Sequence, residues 1–295
     1  KKPGFLNQME RGFGNFKEHE GYLTDVLADE ACAFIERNKD NPFFVYLSFN
    51  AVHTPMHAKP DDLAAFPKLR GKRKTLAAMT LAMDRACGKV CDLLDELGLS
   101  ENTIVVFTND NGGPTVSNGS NNAPLSGTKA LHREGGIRVP FLFSWPGRVK
   151  AGTTYDHPIM MFDLLPTFVA AAGGESSTHK ALDGVDLLPF LTDKQAGRPH
   201  STLFWKWNVF GAVRDGDWKL IRLPDRPAEL YNLANDIGES QNIADQNPQV
   251  LRRLYKKLFA WELELERPLW LLQQKYERSA LEWYDQYEQT QGARK

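Results

Sequence analysis

Three short apolar runs, each closed by a knot of polar residues, constrain the fold of this chain more than any other feature. They are "FFVYLSF" after Pro42, "TIVVF" at 103–107 and "VPFLF" at 139–143. Their apolar residues are nearly continuous, so each reads as a strand buried on both faces. Helical patterns lie between and around them. Residues 23–38, "LTDVLADEACAFIERN", have apolar positions at helical spacing, with Thr24 or Asp25 available as a cap. After a loop at 50–72, a long helix is expected from about 73 to 97. Its stripe is Leu76, Met79, Met83, Ala86, Val90, Leu93, Leu94 and Leu97, and Gly98 ends it. "DLLPTFVAA" predicts a further helix near 163–172. Strand and helix in alternation imply an α/β domain around a largely parallel sheet, assigned to residues 1–194.

Near residue 195 the pattern changes. "TLFWKWNVFGAVRDGDWKLIRL" alternates apolar and polar residues around Asp215-Gly216, a hairpin signal. "ELYNL" adds a short strand, a helix is expected at 248–265, and the tail at 268–288 reads as helical. Residues 195–295 are therefore expected to form a small α+β domain with an antiparallel sheet.

Charge and composition narrow the partners. Basic and acidic residues number 36 and 37, for a net charge of −1, which argues against nucleic acid or an anionic membrane as the main partner. No apolar run approaches the ~20 residues of a membrane span, and the opening Lys1-Lys2-Pro3 has neither a Met nor the layout of a signal peptide. Three cysteines make no disulfide framework, and Cys87 and Cys91 are expected to be buried thiols.

In an open α/β sheet, ligands gather at the carboxyl ends of strands. Three polar clusters fall there: "FNAVHTP", "TNDNGG" and "LSGTKALHREGG". Taken singly, each is a turn. Glu134-Gly135-Gly136 is expected to turn the chain, with Glu134 accepting backbone hydrogen bonds. His57 and His132 are candidates for a substrate entrance, and His157, before a proline, for a structural role. Asn118-Gly119-Ser120 matches a glycosylation sequon.

Taken together, "YLTDVLADEACAFIERNKDNPFFVYLSFNAVHTP", "TIVVFTNDNGG", "GTKALHREGGIRVPFLFSWPG", "DLLPT" and "ELYNLANDIGESQNIAD" resemble the type I, arylsulfatase-like sulfatases of the alkaline phosphatase superfamily. The resemblance runs in order from about residue 20 to residue 260. It implies an alkaline-phosphatase-like sandwich and hydrolysis of a sulfate ester, most often of a sulfated carbohydrate. The family's D-N-G motif binds calcium, which falls on Asp110 and Asn111. Its H-x-P histidine falls on His53, and the lysine ahead of E-G-G on Lys129; both are implied catalytic and sulfate-binding residues. The chemistry agrees. Calcium takes several carboxylate and carbonyl oxygens, and glycines let the backbone fold round it. A fixed ammonium stabilises charge developing on sulfate, and imidazole suits protonation of a leaving alcohol.

The family's nucleophile is a formylglycine made from the first residue of C/S-x-P/A-x-R. The match here, Ser144-Trp145-Pro146-Gly147-Arg148, is rejected because it follows the H-x-P and D-N-G motifs instead of preceding them. The family's early aspartate ligands are also absent. The expectation is the C-terminal portion of a sulfatase, inactive alone, with formylglycine and the remaining calcium ligands on an N-terminal part. Phosphodiesterases and phosphonate monoester hydrolases of the superfamily, and a non-catalytic fragment acting in binding or assembly, are the alternatives. Partners implied are a sulfated small molecule or glycan, and either the N-terminal part or a second copy of the chain. By resemblance the location is periplasmic or secreted.

Overall fold

The structure, a computed structural model, describes residues 8–175, 182–266 and 274–292. By main-chain proximity the chain falls into two units, residues 1–104 with 114–120, and residues 105–113 with 121–295.

The first unit opens with a hairpin of β1 (Gln8–Glu10) and β2 (Phe16–Glu18), absent from the sequence expectation. α1 (Leu23–Asn38) has the predicted bounds, but its N-cap is Tyr22 and no side chain caps it. Asp25 points elsewhere, accepting from Lys59 Nζ at 2.6 Å. α1 packs on α3 (Gly71–Glu96), with Ala28, Ala31, Cys32 and Ile35 of one helix and Ala78, Met79, Ala82 and Ala86 of the other buried. Gly98, at φ +69°, stops α3 in the left-handed conformation that glycine takes without strain. Cys91 is exposed and Cys87 half-buried, correcting the expected burial, because the buried stripe runs along the face that holds Ala82 and Ala86. The loop 50–72 contains a short helix, α2 (Pro60–Ala64), whose buried Asp62 takes both Nη1 and Nη2 of Arg85 at 2.9 and 3.1 Å. α4 (Thr115–Asn118) completes the unit. Asn118 is buried, with its Oδ1 accepting from Ser120 N at 2.9 Å, a poor setting for glycosylation.

One expectation fails here. Residues 43–49 form no strand ladder among the described residues, and their burial alternates: Phe44 is 69% and Tyr46 85% exposed, while Phe43, Val45, Leu47 and Phe49 are half-buried. An apolar run shows which residues prefer cover, not whether cover is present.

In the second unit β3 (Val105–Thr108) pairs with β4 (Phe141–Ser144), Val106 opposite Phe143. The pair is antiparallel where alternation predicts parallel neighbours. The connection holds only the four-residue α5 (Glu134–Ile137) within this unit, and antiparallel strands need no crossover helix. α6 (Leu164–Ala171) and α7 (Leu188–Leu191) follow. The buried Asp163 ties them together, accepting from Met160 N at 2.7 Å, Val185 N at 3.0 Å and His200 Nε2 at 2.7 Å. The predicted antiparallel sheet is present as four strands in sequential order: β5 (Thr202–Trp207), β6 (Phe210–Asp215), β7 (Trp218–Arg222) and β8 (Glu229–Asn232). Val213, Leu220 and Leu230 on one face pack with Leu254 and Leu258 of α8 (Pro248–Glu264). Ala212, Ile221 and Tyr231 on the other meet Leu131 and Tyr284 of α9 (Gln274–Gly292). Side chains alternate between the faces of a strand, which explains the split. Of the expected helical tail, residues 268–273 lie outside the described residues. Among the described residues no helix is long and apolar enough to cross a membrane.

Candidate active site

Strand β3 ends and the chain turns at once. Asn111 N donates to Asp110 Oδ1 at 2.9 Å, and Asn111 Nδ2 donates to the Gly112 carbonyl at 3.1 Å. Those two bonds shape the loop and leave the Asp110 side of it exposed. The loop is then sewn to the turn that carries Lys129. Gly112 N donates to Gly136 O at 2.9 Å, and Lys129 N and Thr128 Oγ1 reach Gly113 O at 3.4 and 3.1 Å. Asn122 holds the crossing: its Oδ1 accepts from Gly113 N at 3.1 Å, and its Nδ2 donates to Gly113 O at 2.9 Å and Gly127 O at 3.0 Å.

This weave has no room for side chains at its crossings. A Cβ on Gly112 would stand 1.8 Å from Gly135 O, and one on Gly136 would stand 2.2 Å from Leu131 O. Both neighbours are main chain, so neither can step aside. Asp110, Asn111 and Lys129, predicted from separate motifs, thus sit on one interlocked pair of loops. Asn122 was missed. An asparagine among loop asparagines gives no signal in sequence.

His53 lies in the first unit, in the loop after residue 49. Its N donates to Asn50 O at 2.9 Å, and its Nδ1 stands 2.7 Å from Thr54 O. A carbonyl only accepts, so Nδ1 carries the proton and, in the neutral ring, Nε2 carries the basic lone pair. The His57 carbonyl accepts from Tyr22 OH at 2.9 Å. His157 makes an edge contact with Tyr155 at 5.4 Å between ring centres.

Beneath the Lys129 turn is a buried ionic cluster. Lys219 on β7 is fully buried, with its Nζ 2.8 Å from Glu134 Oε1 and 2.7 Å from Glu239 Oε1. Glu239 Oε2 accepts from Ser126 Oγ at 2.5 Å and from Glu134 N at 2.8 Å. Arg214 Nη1 lies 3.5 Å from Glu134 Oε2, and Arg133 Nη2 bonds Glu229 Oε2 at 2.9 Å. Burial pushes the Glu134 carboxyl up, but Lys219, with help from Arg214, outweighs it and holds the group below its usual range. Glu134 therefore answers an ammonium, not the backbone donors expected of it. His132 is a second correction. It is buried, its N donates to Tyr284 OH at 2.9 Å, and burial, reinforced by Lys219 and Arg222, lowers its pKa to about 4. It lines no entrance.

The donor set suits calcium in kind. Asp110 offers a carboxylate and Asn111 a carboxamide whose nitrogen is turned inward to Gly112, both oxygen ligands for a hard cation. In number it is partial. Among the described residues no group of three or more His, Cys, Asp or Glu is placed to hold a metal ion, and calcium takes about six to eight oxygens.

Comparison with known proteins agrees in family and fold. The family model for Sulfatase matches residues 3–174, and that for N-sulphoglucosamine sulphohydrolase, C-terminal, matches residues 128–264. A protein of Formosa agariphila named Sulfatase is 30% identical over 287 residues, 84% of this chain and 51% of its own length. Rat (Rattus norvegicus) steryl-sulfatase is 37% identical over 195 residues, 64% of this chain and 33% of its own. The chain thus spans about a third to a half of the length of these relatives. The crystal structure of Ps i-CgsB in complex with k-i-k-neocarrahexaose superposes with a TM-score of 0.82 at 36% identity, over 90% of this chain and 60% of that one. Matched along more than half its length and sharing this fold, the chain belongs to the type I sulfatases of the alkaline phosphatase superfamily.

Proposed function

We propose that this chain is the C-terminal portion of an enzyme that hydrolyses sulfate esters of a sulfated carbohydrate. The observation that supports the reading is the interlock of the Asp110–Gly113 loop with the Lys129 turn, which joins by hydrogen bonds the residues the reading assigns to cation and sulfate. The carbohydrate class is supported by Ps i-CgsB, a fold relative solved with a neocarrahexaose. Formylglycine and the other calcium ligands belong, in this reading, to sequence ahead of Lys1. Formylglycine supplies a hydrated aldehyde oxygen as nucleophile, and calcium supplies positive charge for sulfate oxygens.

The roles of this chain follow from its own atoms. Asp110 and Asn111 contribute oxygens to the calcium site. Lys129 Nζ binds a sulfate oxygen and stabilises the charge that grows as the ester bond breaks. His53, with Nδ1–H on Thr54 O, keeps Nε2 for proton transfer and, when protonated there, can serve as the donor to a departing alcohol that the family resemblance implies. We place the intact enzyme in the periplasm or outside the cell, as the family resemblance suggests.

The test uses the intact enzyme with a sulfated galactan oligosaccharide, its desulfated form as control, and free sulfate measured by ion chromatography. Sulfate release that disappears together with bound calcium in Asp110→Ala is the expected result. Hydrolysis of a phosphodiester to a phosphomonoester and an alcohol, with no release of sulfate, would overturn the reading.

A further inference from the structure

The segment from Ser126 to Glu134 carries Lys129 near its middle, and both of its ends are held by residues far along the chain. Glu239 Oε2 takes the Ser126 hydroxyl at 2.5 Å at one end and the Glu134 amide at 2.8 Å at the other. Lys219 Nζ bridges the Glu134 and Glu239 carboxylates at 2.8 and 2.7 Å. Gly135 N closes the loop on Ser126 O at 2.6 Å, and Gly136 O then takes Gly112 N from the Asp110 loop.

The charges balance. Lys219, Arg133 and Arg214 meet Glu134, Glu239 and Glu229, all of them buried except the half-buried Arg214. Such a cluster is a weak source of stability, since desolvating the ions consumes most of their attraction and apolar residues would serve as well. Directional bonds to two ends of one loop, in contrast, fix where the loop stands. We propose that Lys219 and Glu239 are positioning residues, which set the place of Lys129 and, through Gly112, of the Asp110–Asn111 loop. The functional weight of Lys129 rests on the sulfatase reading; the mechanical claim does not.

The experiment separates the two. Amide hydrogen exchange is measured on the intact protein for 108–113, 126–136 and the sheet strands 202–232, in the parent, Lys219→Met, Lys219→Arg and Glu239→Gln. Positioning requires selective loosening: exchange at Gly112 and Gly135 rises tenfold or more in Lys219→Met, while amides shared between strands β5 and β6 keep their protection. Lys219→Arg, which keeps the charge, recovers part of it. Should Lys219→Met fail to fold, Glu239→Gln decides, because it leaves the Lys219–Glu134 pair in place. In parallel, kcat and KM for a sulfated oligosaccharide are measured; a misplaced Lys129 raises KM and lowers kcat together, by about tenfold each. Loosening of sheet and turn alike, or of neither, overturns the proposal. Selective loosening in a protein that never releases sulfate leaves the clamp standing and rejects the sulfatase reading.

Discussion

At His53 the hydrogen bond from Nδ1 to Thr54 O decides which nitrogen can act, and this has a kinetic consequence. Replacing His53 by alanine in the intact enzyme should lower turnover by roughly 10²-fold, with a greater loss on alkyl sulfates than on activated aryl sulfates. Equal losses across leaving groups would leave it a sulfate binder only. Lys129→Ala should cost about as much on both substrate types, because its proposed partner is the sulfate and not the leaving group. His132 gives a prediction of another kind. Its folded pKa of about 4 lies below its ordinary 6.5, so between those values the unfolded chain takes up a proton that the fold refuses. The contribution of His132 to stability therefore rises with pH from 4 to 6.5 and levels off above, a span of about 3 kcal/mol. Urea unfolding at several pH values should show a shallower rise for His132→Phe; identical slopes would refute this account.

Among the elements, the glycines of the interlock admit a sharp comparison. Gly112→Ala brings a Cβ against the Gly135 carbonyl and should destabilise by roughly 3 kcal/mol, whereas Gly88→Ala, in α3 with nothing within 4 Å, should stabilise by about 0.5–1 kcal/mol. Chemical denaturation of both variants reads the difference, and a harmless Gly112→Ala would mean that the loops are not locked. The same elements show what the sequence made legible. α1 was readable to the residue, and α3 and α8 nearly so, because apolar spacing and a terminal glycine or proline are local signals. The Asp110 and Lys129 loops were readable because several residues of each are specified together. Lys219 and Glu239 were not. A lysine in an alternating strand reads as a residue facing water, and only the partner supplied by a distant turn reverses that. The burial of 43–49 was misjudged for a related reason, since cover is a property of neighbours. The antiparallel pairing of β3 and β4 likewise depends on how residues 109–140 fold back, which apolar periodicity does not encode.

For the molecule as a whole, Phe44, Tyr46 and Leu142 stand 69%, 85% and 66% exposed. Residues 1–295 expressed alone should therefore associate in solution and hydrolyse no sulfate ester, as light scattering and an activated aryl sulfate would report. A stable monomer with turnover would contradict both parts and reopen the search for a nucleophile, beginning with Ser144. The sheet does not stand apart from the turn above it. A fragment of residues 195–295 keeps Lys219 and Glu239 but loses Glu134 and Ser126, so it should be less stable to urea than one of residues 121–295. The clamp also bears on biosynthesis. Glu134 precedes Lys219 by 85 residues and Glu239 by 105, so at about 5–20 residues per second the ribosome completes the Lys129 loop roughly 4–20 s before its counter-charges are made. The nascent chain thus leaves the Lys129 loop unlatched until residues 219 and 239 have both been made.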